Sequence, residues 1–396
     1  MAAPPLPADV RRGVPLLVAG RLSGNTGIRF VYPFAPAIAR GLGVSVEALG
    51  AALTIRELSG FAALPAGRAV DRGRRRTGLI AGLLGSALFL GLTAATSGIV
   101  WFTLAITAFG VTKITYDTAM STWIGDHVPW ERRGTIVGIT ELSWSCSLLV
   151  AIPLLGLAID AWGWRAAFVA VALANLVAGL LVPRFIAADP AGGTVAPARL
   201  SLLPGALGIY AAMALLSFGI QLVIVVHGYW LEDSFGWSVA TIGLGAILLG
   251  FGELVGTSGT IAFADRLGKR RTLLVGATLL VPALASLGLS GSNGAVGIAL
   301  LAVVVTTYEL AFVSGLPLIT ELDPDARGSG IGVALALVTV ARAGGTMAGT
   351  ALYVRIGMGW TGIIAAGVVA AVVVIVLTAV REPTGAPGQM RSTSTS

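Results

Sequence analysis

Gly67-Arg68-Ala69-Val70-Asp71-Arg72-Gly73-Arg74-Arg75-Arg76 and Ala264-Asp265-Arg266-Leu267-Gly268-Lys269-Arg270-Arg271 are two short charged segments in a chain that is otherwise almost continuously apolar. Asp71 and Asp265 lie 194 residues apart in a chain of 396. Arg133-Gly134 and Arg327-Gly328, each ahead of a long apolar run, repeat that offset. Two independent markers at one spacing of about half the length predict an internal duplication.

The residues around these segments set the class. Hydrophobic residues make up 56% of the chain and charged residues 11%, with a mean hydropathy of +0.88. A soluble domain carries about 25% charge, so this surface is built for lipid. The single Cys146 excludes a disulfide framework or a cysteine-rich metal site. His127 and His227 fall in opposite halves and form no metal-binding spacing. No cleavable signal is expected at the N-terminus, because the first apolar run follows Arg11-Arg12 and continues as a span. The net charge of +7 does not imply nucleic acid, because the bases sit in short turns between apolar runs rather than along one soluble face.

Thr77 to Thr112 contains no charged residue. As one helix its 36 residues would reach about 54 Å, against a hydrocarbon core of about 30 Å. It must therefore be two helices turning at Thr96-Ser97-Gly98. The same reasoning predicts an all-α membrane protein of twelve spans, at 14–39, 46–66, 77–96, 99–124, 135–158 and 164–182, then 204–231, 238–262, 272–290, 294–320, 329–354 and 359–380. A tail at 1–13 precedes the first six-helix half (14–182). A linker at 183–203, with its Asp189-Pro190-Ala191-Gly192-Gly193, connects it to the second half (204–380), and a disordered tail is expected at 381–396.

Eighteen bases fall in the segments on the side of the termini, against only Arg40, Arg165 and Arg355 in the opposite turns. The positive-inside rule then places both termini in the cytoplasm of a cell whose inner membrane holds the protein. Trp101, Trp162, Trp164, Trp230, Trp237 and Trp360 fall near the outer ends and are expected to be interfacial anchors.

The segment from Gly67 through Asp71-Arg72 to Arg75-Arg76 resembles the signature between helices 2 and 3 of the major facilitator superfamily. Asp265-Arg266, Gly268 and Lys269 resemble its second-half copy. Val128-Pro129-Trp130-Glu131-Arg132-Arg133-Gly134 resembles the family's turn between helices 4 and 5, and Gly163-Trp164-Arg165-Ala166-Ala167-Phe168 its approach to helix 6. The copies differ from the pattern at Arg74 and Ile261, where glycines are usual. The drug-antiporter signature of helix 5 survives only as Pro153 and Gly156, and Ile106 stands where many proton antiporters have an arginine.

The resemblance implies a bundle of two pseudo-symmetric halves that works by alternating access, with a midplane cavity lined by spans 1, 4, 7 and 10. It also implies a conformational latch of Gly67, Asp71, Arg72, Arg75, Asp265, Arg266, Gly268 and Lys269. In it, Asp71 would face the start of span 11 near Gly328, and Asp265 the start of span 5 near Gly134, each at the positive end of a helix.

Away from their ends, the predicted spans hold ten charged residues: Arg21, Arg29, Arg56, Lys113 and Arg342 against Glu57, Asp117, Glu141, Glu253 and Glu309. Each would cost about 2.5–3.5 kcal/mol facing lipid unpaired, so five against five predicts pairing in a polar interior. Arg21, Asn25 and Arg29 share one face of span 1, and Lys113 and Asp117 stand at i, i+4 beside Tyr116. Arg21, Asp117 and Glu141 are expected at similar depth as one cluster, Arg56 and Glu57 as a static salt bridge, and Arg342 as a partner for Glu253 or Glu309. The expected substrate and proton pathway is Arg21, Asn25, Arg29, Tyr32, Lys113, Tyr116, Asp117, Glu141, Glu253, Tyr308, Glu309 and Arg342.

Gly250-Phe251-Gly252-Glu253-Leu254-Val255-Gly256 lies inside a span with no preceding strand, so helix packing rather than a nucleotide loop is expected, as at Gly345 and Gly349. His227 is expected to be an interfacial histidine, and Pro33, Pro36, Pro153 and Pro317 to be kink sites.

The chain is expected to be a non-enzymatic, monomeric secondary exporter of a small organic molecule. It would draw on the proton gradient, with no cofactor or metal, and have only its substrate and the lipid bilayer as partners. Uptake symport, lipid translocation and a non-transporting membrane sensor are the alternatives.

Overall fold

The computed structural model describes residues 6–63, 65–66, 74–188, 206–322 and 327–380, without the side chains of 261, 265 and 320–331. Gly67, Asp71, Arg72, residues 189–205 and 381–396, and the Asp265 side chain lie outside it, and with them much of the expected latch, linker and tail. Among the described residues the chain forms helices and no strand.

Span 1 is Ala8–Arg29, a turn, then Ala35–Leu42; span 2 is Val46–Glu57 tightening into the 3₁₀ turn Leu58–Ala62. Spans 3 and 4 are Arg75–Ala95 and Ile99–His127, broken at the predicted Thr96-Ser97-Gly98 turn. Span 5 runs Trp130–Cys146, through the π turn Ser147–Ala151, to Ile152–Trp162, and span 6 is Arg165–Phe185. Span 7 is Leu207–Ile224 and His227–Phe235, and span 8 is Val239–Leu267. Span 9 is Lys269–Ala285 with the 3₁₀ turn Ser286–Ser290, and span 10 is Gly294–Leu322. Spans 11 and 12 form one continuous stretch, Arg327–Thr378, broken where Gly357 adopts φ 73°.

By length and apolarity alone, nine helices among the described residues suffice to cross a membrane, or ten with one bent pair counted as a span. The shortfall from twelve has physical causes. Span 1 carries Asp9, Arg11, Arg12, Arg21 and Arg29, and spans 11 and 12 merge across Gly357 although 52 residues would reach about 78 Å.

Several helices outrun their predicted limits. Span 1 starts at Ala8 rather than 14, span 4 ends at His127 rather than 124, and span 5 starts at Trp130 rather than 135. Polar residues at these ends continue the helix beyond the apolar run, with Asp9 and Glu131 favourably placed in first turns. Span 6 likewise runs to Phe185, into the predicted linker.

The duplication is visible in backbone detail. Left-handed glycines turn the chain at Gly43 and again at Gly236, and at Gly163 and again at Gly357, 193 and 194 residues apart. Arg76 Nη2 donates to Pro183 O at 2.9 Å, and Arg270 Nη2, 194 residues on, donates to Leu377 O at 3.0 Å. Spans 1 and 7 both break, at Phe30–Phe34 and at Val225-Val226, close to that offset. One end of the bundle therefore carries the basic turns, and the other carries Gly43, Gly163, Gly236, Gly291 and Gly357. We call them the basic end and the far end.

Glycines set the close approaches. A Cβ on Gly252 or Gly256 would lie 2.8 Å from Ala302 O or 2.4 Å from Thr306 O, so the glycine run of span 8 is a packing face against span 10, as predicted. Gly345 and Gly349 likewise meet the backbone of span 7 at Phe218 and Leu222. Two of the expected anchor tryptophans are corrected: Trp164 and Trp230 are buried, Trp164 edge-on to Phe102 and Phe168 and Trp230 against Phe235. Trp101, Trp162 and Trp360 are exposed, as interfacial residues are.

Candidate functional site

The break in span 1 brings Pro33 against span 7, where a Cβ on Gly228 would lie 2.3 Å from Pro33 O. Beneath that contact, toward the basic end, lies a cavity of about 100 Å³. Its wall is mainly Ile28, Leu148, Ile220, Ile242, Leu249, Ile298 and Val305, and its polar groups are Arg29, Tyr32, Gln221, His227, Glu253, Tyr308, Glu309 and Arg342. Sites for drug-sized ligands run to about 300–1,000 Å³, so the cavity is small beside them.

Three ionic groups surround it. In the first, Glu57 is shared between Arg56 of its own half and Arg342 of the other, at 2.6 and 2.9 Å. Tyr32 Oη donates to Glu57 Oε1 at 2.5 Å and accepts from Arg56 Nη2 at 2.6 Å and Gln221 Nε2 at 3.1 Å. Gln221 also donates to Thr346 Oγ1 at 3.0 Å. Arg56 is 1% exposed, and its remaining hydrogen bond goes to Ile28 O. The expected Arg56–Glu57 bridge is present, but Arg342 joins it rather than Glu253 or Glu309. The reason is position: span 11 packs directly on span 2, with Thr339 against Gly60 and Thr350 against Gly50.

In the second group, Arg29 holds Glu253 through both guanidinium nitrogens and donates to Trp144 O at 2.9 Å. Its guanidinium carbon lies 4.4 Å from the centre of the Trp144 ring. The π turn beside Trp144 precedes Pro153, whose missing N–H already loosens the helix ladder there.

The third group lies toward the basic end. Arg21 pairs with Glu141 at 2.8 Å and donates to Thr140 Oγ1, and Asn25 donates to Ser143 Oγ at 3.1 Å. The Arg21–Asn25–Arg29 stripe thus lies along span 5, as its spacing predicts. Lys113 pairs with Asp117. The single expected cluster of Arg21, Asp117 and Glu141 is two ion pairs instead, one between spans 1 and 5 and one within span 4.

Span 4 does not line the cavity, contrary to expectation, whereas spans 5, 8 and 11 do. The Trp144 ring intervenes, with Lys113 Nζ 5.9 Å from its centre. Tyr116 is buried behind span 1, donating to Leu17 O at 2.5 Å, and Asn25 is fully buried between spans 1 and 5. Both are packing groups here.

Of the latch residues described, Arg75 pairs with Asp126 within its own half at 2.7 Å, and Gly268, at φ 88°, forms the turn between spans 8 and 9. Arg266 is exposed, and Lys269 opens span 9.

Sequence reasoning missed Trp144 and Gln221 and put His227 at the interface, although it is buried beside the cavity with Nδ1 2.6 Å from Ile224 O. The usable signals were a tryptophan in mid-span, three residues after Glu141, and a lone amide in an apolar run. No group of three or more metal-ligating side chains occurs among the described residues.

The sequence profile of the Major Facilitator Superfamily matches residues 17–209 and again 208–394. No curated protein sequence matches the chain. Among solved structures, the fold is similar to a D-xylose–proton symporter (16% identity, TM-score 0.77, covering 95% of this chain and 99% of that one). It is also similar to a bacterial homolog of the human lysosomal transporter Spinster in an inward-facing, occupied conformation (15%, 0.76, 95% and 98%). A third likeness is to the nucleoside transporter NupG (16%, 0.73, 92% and 99%).

Proposed function

The chain belongs to the major facilitator superfamily, a family of transporters and not enzymes, and on that footing we propose that it is a proton-coupled exporter of a small organic solute, working as a monomer by alternating access. The supporting observation is where the halves hold each other. Arg29–Glu253, Arg342–Glu57 and Arg40–Glu232 all cross between halves, at the cavity or on its far side. The close contacts Gly156–Gly243, Gly50–Thr350 and Gly228–Pro33 cross there too.

The excess of bases at the basic end favours the cytoplasm of a plasma membrane on that side. The present state then faces inward. Opening outward requires spans 1, 2 and 5 to part from spans 7, 8 and 11, breaking those three pairs. The charges of Arg29–Glu253 and Arg342–Glu57 are largely buried and cannot be left bare at little cost, so substrate or protons must substitute for their lost partners.

Asp117 and Glu141 supply the coupling carboxylates. Their cations, Lys113 and Arg21, lie outside the cavity lining, with Lys113 against the Trp144 ring, and the Glu141 side chain is 55% exposed. Desolvation favours a protonated carboxyl and a nearby cation an ionised one, so rocking between access states alternates the two. One proton at about 100 mV and one pH unit supplies about 3.7 kcal/mol, enough for a roughly 500-fold gradient.

A ligand thermal-shift screen on purified protein identifies stabilising solutes, and each is then tested in proteoliposomes under an imposed pH gradient. Accumulation with matching proton flux is expected. Stabilising ligands that never cross the membrane would exclude transport.

A further inference from the structure

The five intramembrane cations are all paired, but they use only four carboxylates: Glu57 takes both Arg56 and Arg342. Glu309 is left over. Among the described residues it makes no hydrogen bond and has no cation within 4.0 Å, yet it lines the cavity beside Tyr308.

The other free groups on the wall have the same character. Gln221, 1% exposed, spends its amide N–H groups on Tyr32 and Thr346 and leaves Oε1 uncommitted. His227, 4% exposed, lies against a carbonyl at Nδ1, which must therefore carry the hydrogen, so Nε2 of the neutral ring is an acceptor. Among the donors, Arg342 is engaged through Nε with Glu57 and only at 3.5 Å through Nη2 with Tyr32. Arg29 is held by Glu253 and Trp144 O, and Tyr32 Oη donates to Glu57. Arg342 shares Glu57 with Arg56 and so brings a cation to the wall, but that carboxylate holds it at Nε. Glu309 makes no such contact, and a wall with spare acceptors, one unpartnered carboxylate and the aromatic Tyr308 is complementary to a ligand that brings N–H donors and positive charge. The surrounding aliphatic wall suits an apolar body.

We propose that the cavity binds a protonated organic amine with an apolar body, its ammonium held by Glu309. This deepens the transport reading and rests on it for the amine's fate, though not for its binding.

The test uses full-length purified protein and three probes of one size: 3-phenylpropylamine, 3-phenylpropionate and 3-phenylpropanol, titrated calorimetrically at pH 7. Saturable binding of the amine is expected, with the acid and alcohol at least about tenfold weaker. Glu309→Gln should weaken amine binding by about tenfold to a hundredfold, the range for a hydrogen bond to a charged group. Preference for the acid, which would put Arg342 in charge of recognition, would overturn the proposal. So would unchanged amine binding in Glu309→Gln, or no saturable amine binding. If that variant does not fold, the three-probe series on the unaltered protein decides alone. Binding requires no flux, so amine binding without transport in proteoliposomes would fault the transport reading and leave this site standing.

Discussion

The two ends of the bundle differ in where their charges find partners. At the far end the halves touch through glycines and through charges that find their partners across the interface: Gly156 on Gly243, Gly228 on Pro33, Arg40 on Glu232. Toward the basic end the ion pairs among the described residues stay within one half, Arg21 with Glu141, Lys113 with Asp117 and Arg75 with Asp126. A contact within a half survives a rocking motion, whereas a contact between halves must break. On the transport reading, the difference assigns the clamp to the far end and names the groups that report its release.

The strongest way to break that contrast is at Glu57, the carboxylate between two arginines. Glu57→Ala leaves Arg56 and Arg342 without a counter-charge, and removing one partner of a buried pair costs about 3–5 kcal/mol. Thermal unfolding in detergent should show a large loss of stability, and stability close to the unaltered protein would mean the bridge is solvated.

Next in size is a wedge at the far end. Gly228→Ala places a methyl 2.3 Å from Pro33 O, an overpacking worth about 1–3 kcal/mol against the closed state. In a Cys146→Ser background, a cysteine at Ile220 on the cavity wall should then label faster with an impermeant thiol reagent applied from the far side. Equal labelling rates would show that the contact is not part of the clamp.

Charge removal toward the basic end should change coupling more than stability. The Glu141 side chain is 55% exposed against 9% for Glu57, so its loss should cost less stability than that of Glu57. Glu141→Gln should melt nearer the unaltered protein than Asp117→Asn, which leaves the 12% exposed Lys113 unpaired, and both should lose gradient-driven accumulation and keep exchange between equal compartments. If both still accumulate substrate with normal proton flux, the coupling carboxylate lies elsewhere, with Glu309 and Glu253 next. The smallest effect belongs to Arg40→Ala, whose 59% exposed side chain makes the Glu232 pair worth about 0–1 kcal/mol.

Much of this was legible in the chain. The duplication followed from spacing alone, because turns and helix ends repeat with the backbone. The Arg21, Asn25 and Arg29 stripe followed from helical periodicity, and its three residues do meet span 5. The identity of partners was not legible. Arg342 goes to Glu57 because span 11 packs on span 2, a fact of tertiary contact that no periodicity within either span encodes. For the same reason five cations against five carboxylates predicted pairing but not the shared Glu57, and so not the solitary Glu309. Trp144 was passed over because a tryptophan in mid-span has no spacing partner, although its ring separates Lys113 from the cavity.

The central claim is that the halves rock, with the far end closed while the basic end is open. Spin labels at Ser97 and Asn293, in turns at the far end, and in a second sample at Arg184 and Arg271 at the basic end, measure it by pulsed dipolar spectroscopy in lipid nanodiscs with Cys146→Ser. The far-end distance should lengthen and the basic-end distance shorten together when Gly228→Ala is introduced. Distances at both ends that stay the same in the two proteins, or that lengthen together, would contradict it.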